Sequence, residues 1–116
     1  MTPTEFVVAL KQAAHSGADS TMKYLAAPEG RKPQEPLASL SVWYRGLSEA
    51  DKEMARTLAR YSADGSLFHL LSVLDGVVNL DPKRGSLELH HVSGDTRTRL
   101  NDPEGDFLYD IFNKAA

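Results

Sequence analysis

From Glu49 to Asp75 the chain runs without a proline, opens behind Ser48 and closes on Asp75-Gly76. Ser48 can cap the helix, Asp51 adds a carboxylate three residues on, and Ala, Leu, Met, Lys and Arg dominate the run beyond it. The sequence therefore predicts one long helix over residues 49 to 75, around which everything else must pack. Its apolar residues do not keep to one side. At about 100° per residue, Met54, Leu58, Tyr61 and Gly65 form one stripe, whereas Leu67, Leu70, Leu71 and Leu74 fall nearly opposite. Either the helix breaks at Asp64-Gly65 or its second half is buried on both sides. A single glycine costs only about 1 kcal/mol in a helix, so the continuous form is expected. Extended forward, the first stripe passes His69 and Ser72, and His69 is expected to be an interior, hydrogen-bonded histidine.

The remaining elements are set by punctuation. Thr2-Pro3-Thr4-Glu5 reads as a capping box with proline at the first helical position. Phe6, Val7, Leu10, Ala13 and Ala14 continue one face, and Gly17 is expected to end that helix, placing His15 at its negative end. A shorter helix with Met22 and Leu25 should come after Asp19 or Ser20 and stop before Pro28. Residues 27 to 36 hold three prolines, one glycine and no large apolar side chain, and read as an exposed connector. Leu37 to Leu47 suggests a short helix stopping near Gly46, with Trp43 expected in the core and Trp43-Tyr44-Arg45 as an alternative interface patch.

Beyond Gly76, Val77 to Leu80 suggests a short strand before the turn-rich Asp81-Pro82-Lys83-Arg84-Gly85. A hairpin is expected over about 86 to 100, turning at Gly94-Asp95, with Leu87, Leu89 and Leu100 inward. Asp102-Pro103 should cap a C-terminal helix whose apolar face is Phe107, Leu108, Ile111 and Phe112. The fold expected is α+β: a helix-rich single domain, residues 1 to 116, with one long central helix, a two- or three-stranded antiparallel sheet and a closing C-terminal helix.

Composition narrows the function classes. Absence of cysteine removes disulfides, thiolate nucleophiles and Cys-ligated zinc, and it fits a reducing compartment such as the cytoplasm. The longest apolar run, Leu67 to Leu74, is interrupted by His69 and Ser72, so no membrane span or signal peptide is expected. A net charge of −3 does not attract a polyanion in bulk. There is no Gly-x-Ser-x-Gly elbow, no Gly-x-Gly-x-x-Gly and no Walker-type loop.

Chemistry is concentrated in GSLELHHVSGDTRTRL. His90 and His91 are adjacent on a strand and point to opposite faces, so they do not form a chelate, and no metal or cofactor is expected. A turn through Gly94-Asp95 or through Ser93-Gly94 places Glu88, His90, Arg97 and Arg99 on one face. That set supports a metal-independent phosphodiesterase or ribonuclease, with Glu88 as base, His90 as acid and the arginines holding phosphate. The simpler reading is cross-strand charge pairing on a solvated face. Lys83 and Arg84 with Arg97 and Arg99 would make a nucleic-acid patch, which is disfavoured for want of a nearby aromatic.

Asp102, Glu104, Asp106 and Asp110 gather beside Tyr109 as a surface for a basic partner protein. The leading functional expectation is a non-enzymatic protein-interaction or regulatory module, of inhibitor or immunity type. Its partner would be another protein, and self-association remains open.

Overall fold

The computed structural model describes residues 1–30, 33–81, 83 and 85–115. Among these residues four helices and one hairpin succeed one another in chain order: α1 Pro3–Ala26, α2 Leu37–Arg45, α3 Glu49–Leu74, β1 His90–Ser93, β2 Thr96–Arg99 and α4 Leu108–Lys114. The helix-rich α+β class is as expected. Contacts group the chain into two compact units, one comprising Met1–Gln12 with Gly65–Ala116 and the other Ala13–Asp64. No helix among the described residues is long and apolar enough to cross a membrane.

In the unit Ala13–Asp64, α1 does not stop at Gly17. Ala14, Ala18, Met22 and Leu25 recur at helical spacing across the glycine, and Met22 and Leu25 are buried at the far end. The apolar face outweighs the small propensity loss of one glycine, so the two expected helices are one. His15 accordingly lies inside α1 and not at its end. Its Nε2 meets Asp64 Oδ1 at 2.7 Å, linking α1 to α3.

The core of this unit is Met22, Leu25 and Tyr44, with Tyr24, Leu47, Ala55 and Ala59 packed on it. Ser41, buried on α2, donates its hydroxyl to the Leu25 carbonyl at 2.8 Å and so satisfies a buried carbonyl in the last turn of α1. Arg56 Nη1 donates to the Tyr44 hydroxyl at 2.7 Å. Trp43 is not in the core, because α2 turns Ser41 and Tyr44 inward and leaves Trp43 52% exposed.

An exposed fork also joins α1 to α3: Arg60 Nε and Nη2 donate to Asp19 Oδ1 and Oδ2 at 2.8 and 2.6 Å. The hydrogen bond from Arg60 holds the Asp19 carboxyl below its ordinary value and, reciprocally, raises the guanidinium. A depressed acid contributes stability that is complete above the unfolded carboxyl pKa and is lost as pH falls through the folded one. The stability difference between the protein and Asp19→Asn should therefore be constant near neutrality and shrink below about pH 4. Because the pair is exposed, added salt should reduce it as well. Urea titrations across that pH range check this; a difference that grows on acidification would contradict it.

In the other unit, Thr2 caps α1 as read, the Glu5 amide donating to Thr2 Oγ1 at 3.1 Å, while the Glu5 carboxylate accepts the Thr2 hydroxyl at 3.2 Å and not the Thr2 amide of a full capping box. α3 is unbroken through Asp64-Gly65 and buries Leu67, Leu71 and Ser72. His69 is exposed, contrary to expectation, since Leu67 and Leu71 occupy the inward face. Val77 to Leu80 is not a strand: the Val77 and Val78 amides both donate to the Ser72 carbonyl, closing the end of α3. The sheet is thus two-stranded.

α4 starts later than predicted, and Asp102 does not cap it. Asp102 Oδ1 accepts the Glu104 amide in a local turn, while Asp75 at the end of α3 accepts the Leu108 and Tyr109 amides, each at 2.9 Å. A carboxylate at a helix start meets both the free N–H groups and the dipole, wherever in the chain it comes from. At the other end Lys11 donates to the Ala115 carbonyl at 3.0 Å and lies 4.4 Å from the Phe112 ring centroid. Phe68 packs edge-on to Tyr109 and tilted against Phe112, completing the aromatic side of the core.

Candidate functional site

The hairpin turns at Gly94-Asp95, with Gly94 at φ +57°, and pairs His90 with Arg99, His91 with Thr98 and Val92 with Arg97. Glu88 Oε1 receives both neighbours, His90 Nε2 at 3.2 Å and Arg99 Nη1 at 3.4 Å. Three of the four residues singled out from the sequence are therefore brought together, and Arg97 stands exposed opposite Val92. The base and acid of the hydrolytic reading are bonded to each other. Glu88 thereby bridges His90 and Arg99 across the hairpin, which is what a stable half-exposed face needs. Leu87, expected inward, is 55% exposed. Lys83 is exposed, while Arg84 lies outside the described residues, as does Pro82.

Of the acidic segment, Asp102, Glu104, Asp106 and Asp110 are exposed. Tyr109 is half-buried, stacked on Phe107 with ring centroids 5.6 Å apart. Asp106 and Asp110 border a small hollow of about 210 Å³ with Thr4, Val8 and Lys114. Asp102 instead borders a larger cavity of about 510 Å³, formed by the end of α3, by residues 78–81 and 85–87, and by Arg99, residues 101–103 and Phe107.

A third surface lies on α3 in the unit Ala13–Asp64. Its contacts with Met22, Leu25 and Tyr44 run through Ala55 and Ala59. Those alanines sit roughly 110° round the helix from Met54, Leu58 and Tyr61, which are 66%, 63% and 76% exposed. A surface helix ordinarily turns its large apolar side chains to the core and small or polar ones to water. Here the order is reversed. The spacing 54, 58, 61 is that of a coiled-coil seam; Ala50, Thr57 and Ser62 flank it without charge, and Asp51, one turn before Met54, stands exposed on the same side.

Comparison with protein-family models, with curated proteins and with solved structures returns no match for this chain. Among the described residues no three His, Asp or Glu side chains are grouped as metal ligands. The α3 seam is visible in the sequence as a stripe, but a stripe says only that three side chains share a side. Whether that side faces inward depends on which face the neighbouring helices use, and α1 and α2 use the alanines.

Proposed function

We propose that the protein is a non-enzymatic protein-interaction module, and that Met54, Leu58 and Tyr61 on α3 receive the apolar face of an amphipathic helix of a partner protein. The observation that supports this is the reversed helix, with alanines inward and large apolar residues outward. The three side chains expose on the order of 400 Å², the size of the largest apolar patch on a typical monomer. Knob-into-hole spacing favours a helix over an extended strand as the occupant.

A second copy offering only the same three residues would bring the buried total to about 800 Å², the level of incidental packing contacts. A partner helix with a full apolar face also covers Ala50, Thr57 and Ser62 and buries more. The acidic residues Asp102, Glu104, Asp106 and Asp110 then serve as a secondary, charge-selective surface in the same interaction class. An inhibitor or regulatory subunit is the role this class most readily serves.

Leu58→Asp tests the reading. Since Leu58 is exposed, the substitution should alter stability by no more than about 0.5 kcal/mol. Charge in the middle of the seam should weaken partner binding by about tenfold or more. Cross-linked complexes from the native host, compared between the protein and Leu58→Asp, provide the measurement. A companion lost only from the variant supports the proposal. Companions retained equally by both, or a complex containing only copies of this chain, would overturn it.

A further inference from the structure

The 510 Å³ cavity belongs to a different unit from the α3 seam and carries an independent reading. Its volume falls in the range of small-molecule sites, about 300 to 1,000 Å³. Val78, Leu80, Leu87 and Phe107 line it and remain exposed, with Leu80 at 71%. Four large apolar side chains thus surround one opening with little to cover them.

The polar groups of the wall are unequally engaged. Asp75 accepts two α4 amides, and Asp81 accepts the amides of Lys83 and Gly85 at 2.9 and 3.1 Å. Asp102 accepts the Glu104 amide, and Asn101 uses both ends of its side chain on backbone groups. Arg99 differs. Its Nε is buried without an acceptor among the described residues, and its Nη1 has only the 3.4 Å ion pair with Glu88. It is also the one cation among the described residues of the lining. Each carboxylate of the wall already holds at least one backbone donor, whereas its guanidinium is short of acceptors; a complementary ligand must bring them.

We propose that this cavity binds a small apolar carboxylate, its head on the Arg99 guanidinium and its chain among Val78, Leu80, Leu87 and Phe107. A guanidinium suits a carboxylate because both are planar and can form two parallel hydrogen bonds. The carboxylates of Asp75, Asp81 and Asp102 leave no second anion position, which limits the ligand to one negative charge.

Calorimetric titration of the intact protein with decanoate, decanol and decylammonium tests the assignment, since the three probes share a chain and differ in the head. Decanoate is expected to bind, and decanol and decylammonium to bind more weakly by about tenfold or more. Arg99→Met should weaken decanoate by a similar factor, as should Leu80→Asp, which puts a charge on the rim without touching the hairpin. Arg97→Met, exposed on the same hairpin and outside the cavity, should leave the titration unchanged. Decylammonium binding as tightly as decanoate, an Arg99→Met protein that retains decanoate, or no heat with decanoate at millimolar concentration would each overturn the proposal.

Discussion

Asn101→Leu is expected to destabilise the protein by about 3 to 5 kcal/mol. The side chain is buried and holds three backbone groups from two separate segments. Its Nδ2 donates to the carbonyls of Leu74 and Leu87, at 2.6 and 2.8 Å, and its Oδ1 accepts the Leu89 amide at 2.8 Å. The end of α3 is thereby tied to the chain entering β1. Leucine keeps the branched outline, though it is bulkier, and leaves two carbonyls and an amide without partners, each costing about 1 to 3 kcal/mol when buried. Asn101→Asp separates hydrogen bonding from shape. It retains the acceptor for Leu89 but turns a carboxylate oxygen on two carbonyls, and it should be at least as harmful as leucine at neutral pH. Urea unfolding monitored by far-ultraviolet circular dichroism measures both. A loss below about 1 kcal/mol for Asn101→Leu would show that these bonds do not secure the segment.

Leu71→Ala should cost about 2 to 5 kcal/mol, as removal of a wholly buried leucine leaves both lost transfer energy and an unfilled space. Leu71 has no exposed surface, whereas the adjacent Leu70 is 51% exposed. Leu70→Ala is therefore expected to lie within about 0.5 to 1 kcal/mol of the unaltered protein. This contrast identifies the inward face of the second half of α3 by energy. Equal losses at 70 and 71 would mean that the helix is buried on both sides, the alternative its apolar pattern allows.

Several elements are legible in the chain because their causes are local. The Thr2 cap, the Ser48 cap and the Gly94-Asp95 turn each depend on atoms within a few residues of one another. The sharing of a face by Glu88, His90 and Arg99 is a consequence of strand alternation once the turn is fixed. Features that the sequence misleads on depend on distant groups. Gly17 reads as a stop because its own propensity favours one, yet the apolar pattern on either side carries α1 through it. Asp102 is a good local candidate for the start of α4, but the carboxylate that holds the amides there is Asp75, more than thirty residues earlier.

The candidate sites divide in the same way. The residue types of the hairpin are identifiable because charged side chains at alternating positions have few other uses. The seam on α3 and the cavity beside Arg99 are not, since both are defined by what fails to cover a side chain. The chain by itself determined the helix-rich class and favoured a continuous α3 and a tight turn at Gly94, all consequences of short-range sterics and hydrogen bonding, while the structure decided that α3 runs unbroken and that the turn is Gly94-Asp95. Only the tertiary structure decided that Ala55 and Ala59 face the core while Met54, Leu58 and Tyr61 face water. Burial is a property of where other elements come to rest, and no local energy fixes it.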